Sequence, residues 1–430
     1  MKKLFIVFML LAGVAAFAEK AMVRGDGTLL VDGKPVFPIG YRAESLADVK
    51  EGASVGFNLV MGSGEWEELQ YDYSAAKGMW IIGGDCYLHF HGAHDGIDLH
   101  AREDAVISNF LKATRDQHQR TVPEALEKFG NKDRVIGWII SDEPEAKLTE
   151  VAEAAYEVAK GYMPEKLVFS ISCDVRWLPG YLNSADVMIF DRYLLQGSKE
   201  NAESFYHTDN TMSDYLDFAC KKWESKSLWY MPQLYQPSYF SLQPDDLLEK
   251  RDLRAQCYTA IIAGAKGLLF YTWDALKLTY KSANGKKKEI PLSAEQTRQQ
   301  LDMLREIVAE FKSLNDVLCD GRPSREVMVN WTAPGIRGPG SIRHRILDFY
   351  GTYYLIVHNP LPFAVTGIAL NADVNHANSS RNFTGKLIAG QEDITLSRRK
   401  EGMVQFTIQP HGCGVIELKR LNIIPRYMEK

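Results

Sequence analysis

The run Val135 to Ile140 stops abruptly at Ser141-Asp142-Glu143-Pro144, so two adjacent carboxylates stand at the tip of a segment with the composition of a buried strand. Like charges side by side resist joint ionisation, and a carboxylate pair in which one member keeps its proton is suited to general acid–base work. The competing reading of "DEP" is a helix start, because Asp and Pro both favour that position. Other groups capable of chemistry fall just after further apolar runs: Tyr41 and Arg42; Asp85 with His89 and His91; Asp174, Arg176 and Trp177; Asp191, Arg192 and Tyr193; Gln233, Tyr235 and Gln236; Trp273 and Asp274. Carboxylates and aromatics in one place suit a sugar. Flat rings cover the apolar face of a pyranose while Asp, Arg and Gln bond its hydroxyls.

For these residues to share one place, the runs that carry them must end on the same side of the fold. Short apolar runs at 36–41, 57–61, 79–83, 136–141, 167–172, 186–190, 228–232 and 267–271 alternate with amphipathic stretches such as "TVPEALEKFGN" and "LTEVAEAAYEVAKGY". The runs lack strict polar alternation, as strands buried on both faces do. Eight strand–helix repeats predict an α/β fold, a (β/α)8 TIM barrel, in which the strand C-termini carry the site. A doubly wound open sheet is the rival; no Gly-rich phosphate loop follows the first run. Trp138 and Trp80 lie inside runs and read as barrel packing. Ser293 to Leu314 reads as the eighth helix. Beyond Leu318 the short β-rich runs "TYYLIVHNP", "VTGIALNAD" and "MVQFTIQPHGCGVIELK" predict a small antiparallel β-sandwich domain over 319–430.

At the N-terminus, Lys2 and Lys3 precede an apolar run to Phe17, and Ala16-Phe17-Ala18 fits a small-x-small cleavage site. This predicts a signal peptide over 1–18, a barrel over 19–318, and a secreted or periplasmic protein with no membrane span. With a net charge of -5 and no basic stripe, nucleic acid is not an expected partner. The lysine run in "NGKKKE" (284–289) reads as a solvated loop. Six scattered cysteines without a CxxC pair indicate neither a disulfide framework nor a zinc site.

The order of four segments, "VDGKPVFPIGY", "ALEKFGNKDRVIGWIISDEP", "ADVMIFDRY" and "RAQCYTAIIAGAKGLLFYTW", followed by "YYLIVHNP" and "FTIQPHGCGVIEL", resembles the large clan of (β/α)8 glycoside hydrolases, near families 2, 5 and 42. In that clan the fourth strand ends in Asn-Glu, the Glu being the acid/base. The resemblance therefore implies Glu143 as proton donor, with Asp142 in the Asn position tuning it or holding a hydroxyl. The clan's nucleophile is a Glu ending the seventh strand, where this sequence has "LWYMPQLYQP" and Gln233 stands closest. An amide cannot form a glycosyl ester of the usual kind.

The expected activity is thus glycosidic bond cleavage in an extracellular poly- or oligosaccharide, with no cofactor. Asp191 is the first candidate for the second carboxylate, ahead of Asp174 and Asp274. Tyr41, Arg42, Asp85, His89, Asp142, Asp174, Trp177, Tyr193, Gln233, Tyr235, Trp273 and Asp274 are candidate substrate contacts. A substrate acetamido group acting as nucleophile is a second route. A non-catalytic glycan-binding protein on the same scaffold is the alternative of a different class. A metal-dependent hydrolase using His89-x-His91 is a third; later strand ends offer no further His to complete such a site.

Overall fold

A computed structural model describes residues 20–62, 78–83, 116, 119–120, 123, 134–143, 149–176, 178–193, 212–332, 342–372, 383–398 and 403–420. The expected signal peptide, Asp85, His89, His91 and Trp177 lie outside the described residues.

Three short strands, β1 (Ala21–Val23), β2 (Leu29–Val31) and β3 (Lys34–Val36), form an antiparallel meander. Asp32 and Gly33 turn β2 into β3 with φ of 50° and 75°. Positive φ at both central residues makes the tight turn whose twist matches antiparallel strands. Val36 consequently pairs with Leu29 and belongs to the meander, not to the first barrel strand.

Eight parallel strands then close a barrel: β4 (Ile39–Ala43), β5 (Leu59–Gly62), β6 (Trp80–Gly83), β7 (Val135–Asp142), β8 (Leu167–Ser172), β9 (Val187–Phe190), β10 (Ser227–Tyr230) and β11 (Leu268–Phe270). Closure runs from β11 to β4, with Leu268 opposite Ile39. Leu59, Met61, Phe169, Ile189, Trp229 and Leu269 fill the interior, joined by the apolar residues of the meander. Alternate residues such as Tyr41, Val60, Trp138, Val168, Phe190 and Phe270 pack outward against the helices. Both faces are buried, which is why the runs carry no polar alternation.

Helix starts follow their capping residues. Ser45 and Asp48 form a capping box for Leu46–Val55, and Ser293 and Gln296 do so for Ala294–Ser313. After β11 comes a hairpin absent from the sequence expectation: β12 (Leu278–Ala283) and β13 (Lys286–Pro291), joined by Asn284 and Gly285 at φ of 53° and 71°. The lysines of "NGKKKE" therefore sit on a strand, not in a loop; they are exposed as foreseen. Beyond Asp320 a five-stranded and a four-stranded antiparallel sheet form the C-terminal sandwich, as expected. Its core includes Leu355, Phe406, Ile416 and Leu418, while Ile356, Cys413 and Val415 pack into the barrel's outer layer. No helix among the described residues is long and apolar enough to cross a membrane.

Candidate active site

A bulge in β7 sets the direction of its last residues. Ile139 lies opposite Phe169, but Ser141 lies opposite Ser170 and Asp142 opposite Ile171, so Ile140 is the extra residue. This insertion switches the parity of the last two strand residues. Ser141 goes to the outer face, where its hydroxyl donates to Ser170 Oγ at 2.8 Å, and Asp142 shares the inner face with Phe169 and Ile171. Glu143 leaves the strand in the left-handed region at φ 45°, its N–H donating to Ile171 O at 3.0 Å. That conformation costs a non-glycine residue about 1 kcal/mol. It turns the Glu143 side chain out to solvent at the mouth.

Asp191 follows β9 and is anchored by its N–H to Ser172 O at 3.2 Å. It is only 5% exposed, and among the described residues its Oδ1 has no hydrogen-bond partner. Glu143, Asp191 and Cys173 each bring a side-chain O or S atom within 4.8 Å of the other two. Burial pushes the Asp191 carboxyl well above the usual carboxylate range; the charge of Glu143, a hydrogen bond to Glu143 and the charge of Asp142 add to it. These effects favour the protonated form of Asp191. Cys173 is pushed up to about 12, by burial first and then by the charges of Glu143 and Asp191. These three side chains are also the group among the described residues whose donor atoms could converge on a metal ion. Cys173 was not foreseen as a site residue; its signal was its place at the end of the fifth strand, next to Asp174.

Tyrosines line the inner wall beside the pair. Tyr193 stacks on Tyr271 at 5.8 Å and meets Tyr235 edge-on at 5.3 Å. Its phenol is pushed well above 10 by burial, then by the charge of Asp191. The Arg42 guanidinium lies 5.2 Å from the Tyr271 ring centre and pairs with Glu44 at 3.1 Å. Tyr271, also unforeseen, thus joins Arg42 to the aromatic wall.

Several expected substrate contacts lie elsewhere. Tyr41 and Arg42 are consecutive on β4, so strand alternation sends them to opposite faces. Tyr41 is fully buried under the first helix, its hydroxyl shared between the carbonyls of Asp48 and Val49 at 3.1 Å each. Trp273 is likewise buried, 4.8 Å from the Tyr41 ring, with Nε1 donating to Glu51 at 3.1 Å. Both belong to the packing between barrel and helix. Gln233 is fully buried in the wall: its N–H donates to Gln256 at 2.9 Å and its side-chain amide to Tyr235 O at 3.2 Å. Gln236 is held in the same way by Leu276, Leu248 and Gln300. Asp174 is tied to Arg176, which holds it below the usual carboxylate range. Asp274 is exposed and accepts from Thr272 at 3.0 Å. Of the three candidate second carboxylates, the fold brings Asp191 to Glu143.

No family model matches the chain, and a search of curated proteins found no match. Solved structures with the same architecture include a glycoside hydrolase family 5 protein from Bacteroides vulgatus ATCC 8482 (TM-score 0.58, 14% identity, 93% of this chain and 93% of that one). A noncanonic maltogenic alpha-amylase, AmyB from Thermotoga neapolitana, superposes with a TM-score of 0.56 at 12% identity over 88% of this chain and 98% of its own. A family 5 mannosidase from Rhizomucor miehei gives 0.52 at 11% identity, over 71% and 100%. The chain shares the scaffold of these glycoside hydrolases.

Proposed function

We propose that the chain is an exported glycoside hydrolase in which Glu143 and Asp191 together carry the acid–base chemistry. The observation that carries this reading is the pair of carboxylates from the ends of β7 and β9, with side-chain oxygens within 4.8 Å at the barrel mouth. Burial decides where the proton rests, and exposure decides where it can leave. Asp191 holds it; Glu143 is the member a glycosidic oxygen can reach. The proton passes along their hydrogen bond to Glu143 and on to the leaving oxygen, and Asp191 is left as a carboxylate. Positive charge developing on the sugar ring favours that transfer. Side-chain oxygens within 4.8 Å of each other are closer than the ~6.5–9.5 Å that lets an inverting enzyme hold a water between its carboxyl groups, so we assign the retaining course, in which the second carboxylate attacks the anomeric carbon and water later releases the sugar. Gln233, buried in the wall, takes no part. Export is inferred from the N-terminal apolar segment.

The test is a reducing-end release screen over plant, algal and host glycans with the mature protein, Glu143→Gln and Asp191→Asn. Product from the wild type alone supports the pair; equal product from Glu143→Gln removes it. An amide where the clan keeps its nucleophile favours a second reading, a glycan-binding protein without turnover. Saturable binding with no product, unchanged by Glu143→Gln, would establish that instead.

A further inference from the structure

The aromatic wall does not stop at the mouth. Tyr235, next to Tyr193, also touches Tyr239 at 5.3 Å and Phe240 at 5.8 Å on the loop after β10. Tyr239 and Phe240 are each 38% exposed, an unusual position for two adjacent large rings. Tyr239 meets Tyr280 of β12 edge-on at 5.0 Å, and Lys287 of β13 places its Nζ 3.1 Å from the Tyr239 ring centre. The hairpin is fastened to this loop. Thr279 Oγ1 donates to Pro244 O at 2.7 Å and accepts from the Ser238 hydroxyl at 2.9 Å, and the Tyr280 N–H donates to Ser238 Oγ at 3.2 Å.

The hairpin is also strongly basic. Lys281 stands directly opposite Lys288, and Lys286 and Lys287 complete a group of exposed ammonium groups with one carboxylate, Glu289, on the same two strands. Like charges paired across strands are destabilising, so the hairpin's own stability does not ask for them. Lys281, Lys286 and Lys288 make no ion pair among the described residues. The chain as a whole carries -5, so the patch is a local reversal of sign.

We infer that the Tyr239–Phe240–Lys287 surface and its hairpin lysines form an outer subsite for a negatively charged sugar, a uronate or a sulfate ester, in a polysaccharide that runs along the tyrosine wall to the Glu143–Asp191 pair. Tyr239 and Phe240, backed by the buried Tyr280, supply exposed ring surface for the apolar side of the sugar, and the lysines neutralise its charge. The inference rests on the glycosidase reading and narrows its substrate to anionic glycans.

Binding of polygalacturonate, a sulfated galactan and a neutral galactan to the full mature chain, by titration calorimetry at low and high salt, tests it without requiring turnover. The variants are Tyr239→Ala and the triple Lys281→Gln/Lys286→Gln/Lys288→Gln, whose exposed positions leave folding intact. Expected is binding of one anionic glycan at least about tenfold tighter than the neutral one, lost in both variants and weakened by salt. The polygalacturonate and sulfated arms separate uronate from sulfate. Equal binding of the neutral galactan, unchanged binding by the triple variant, equally tight binding of a single-stranded RNA homopolymer, or no binding at all would overturn it. An anionic glycan that is bound at the lysines but never cleaved leaves the subsite standing and removes the hydrolase. Cleavage indifferent to the lysines does the reverse.

Discussion

Glu143 is exposed and Asp191 is 5% exposed, yet a side-chain oxygen of each lies within 4.8 Å of the other. Burial, then the charge of Glu143, raises the Asp191 carboxyl well above the usual carboxylate range and favours its protonated form. A carboxyl raised above its unfolded value of ~3.9 binds a proton in the native state that the unfolded chain has released, so stability falls as pH rises through that window. Asp191→Asn removes this penalty. Its melting temperature is expected to exceed that of the wild type at neutral pH, with the difference growing from about pH 4 to about pH 7. Thermal melts across that range check it; a pH-independent difference would show that Asp191 carries no extra proton.

The division of labour within the pair makes a kinetic prediction. Losing a positioned general acid slows hydrolysis by about 10²- to 10⁴-fold, but only where the leaving oxygen needs protonating. Glu143→Gln should lose that much on an oligosaccharide and far less on an aryl glycoside with an acidic phenol. Asp191→Asn should fail on both, because the attacking group is gone. Parallel kcat/KM values on the two substrates decide, and equal losses for Glu143→Gln would sink its role as donor.

Cys173 supplies an independent probe of the same field. Its thiol, pushed up to about 12 by burial and by both carboxylates, is a poor nucleophile at neutral pH. Alkylation followed by site-resolved mass spectrometry should find Cys173 slow in the wild type and faster in Glu143→Gln, which removes the charge that acts on the thiol after burial. A wild-type rate matching a free cysteine would mean that the three groups do not share one environment.

The barrel was legible because a strand buried on both faces must be written in Val, Ile, Leu and Phe. The run Leu167–Ser172 coincides with β8 end to end. The hairpins were legible too, in Asp32-Gly33 and Asn284-Gly285, but the first run was begun at Val36 without reading the turn before it, and the second turn was hidden by its lysines. The strand-end rule found Asp142, Glu143 and Asp191 as neighbours. It could not say which way each side chain turns. Tyr41 and Arg42 separate by one step of alternation, and the bulge at Ile140 resets the parity that sends Asp142 inward. Gln233, expected at the sugar, spends its amide on Tyr235 O, a contact set by a loop return that no spacing reveals. The proton on Asp191 depends on burial by distant elements, and burial is the quantity a local motif carries least.

Away from the site, His358 is fully enclosed where the sandwich meets the helix Lys250–Ala263, 3.2 Å from Thr259 Oγ1. Burial, then the nearby positive charges of His411, Arg343 and Arg254, pushes it down to about 3. Below its ordinary value of ~6.5 the unfolded chain takes up a proton that the native state refuses, so stability drops as pH falls and the deficit reaches on the order of 4 kcal/mol near pH 3. His358→Gln should flatten the dependence of the urea midpoint on pH between about 6.5 and about 4. The same slope in both proteins would place the acid sensitivity elsewhere.

Arg254 fastens the same junction by charge. Its side chain is 2% exposed; it meets Glu310 at 2.9 Å and Cys413 O at 3.0 Å and pairs with Asp393, while Tyr258 donates to Glu310. Glu310 comes from the helix after the hairpin, and Asp393 and Cys413 from the sandwich, so one guanidinium satisfies acceptors on both sides. Arg254→Ala leaves two poorly hydrated carboxylates facing each other and should destabilise by about 3–5 kcal/mol. Adding Glu310→Gln to that variant should recover part of the loss, because one of the stranded charges is removed. Denaturant melts by fluorescence and by far-ultraviolet dichroism should coincide in the wild type and separate in Arg254→Ala, as the sandwich lets go of the barrel first. A loss below about 1 kcal/mol would mean that water reaches these groups and that the apolar contacts of Ile356 and Val415 alone hold the two parts together.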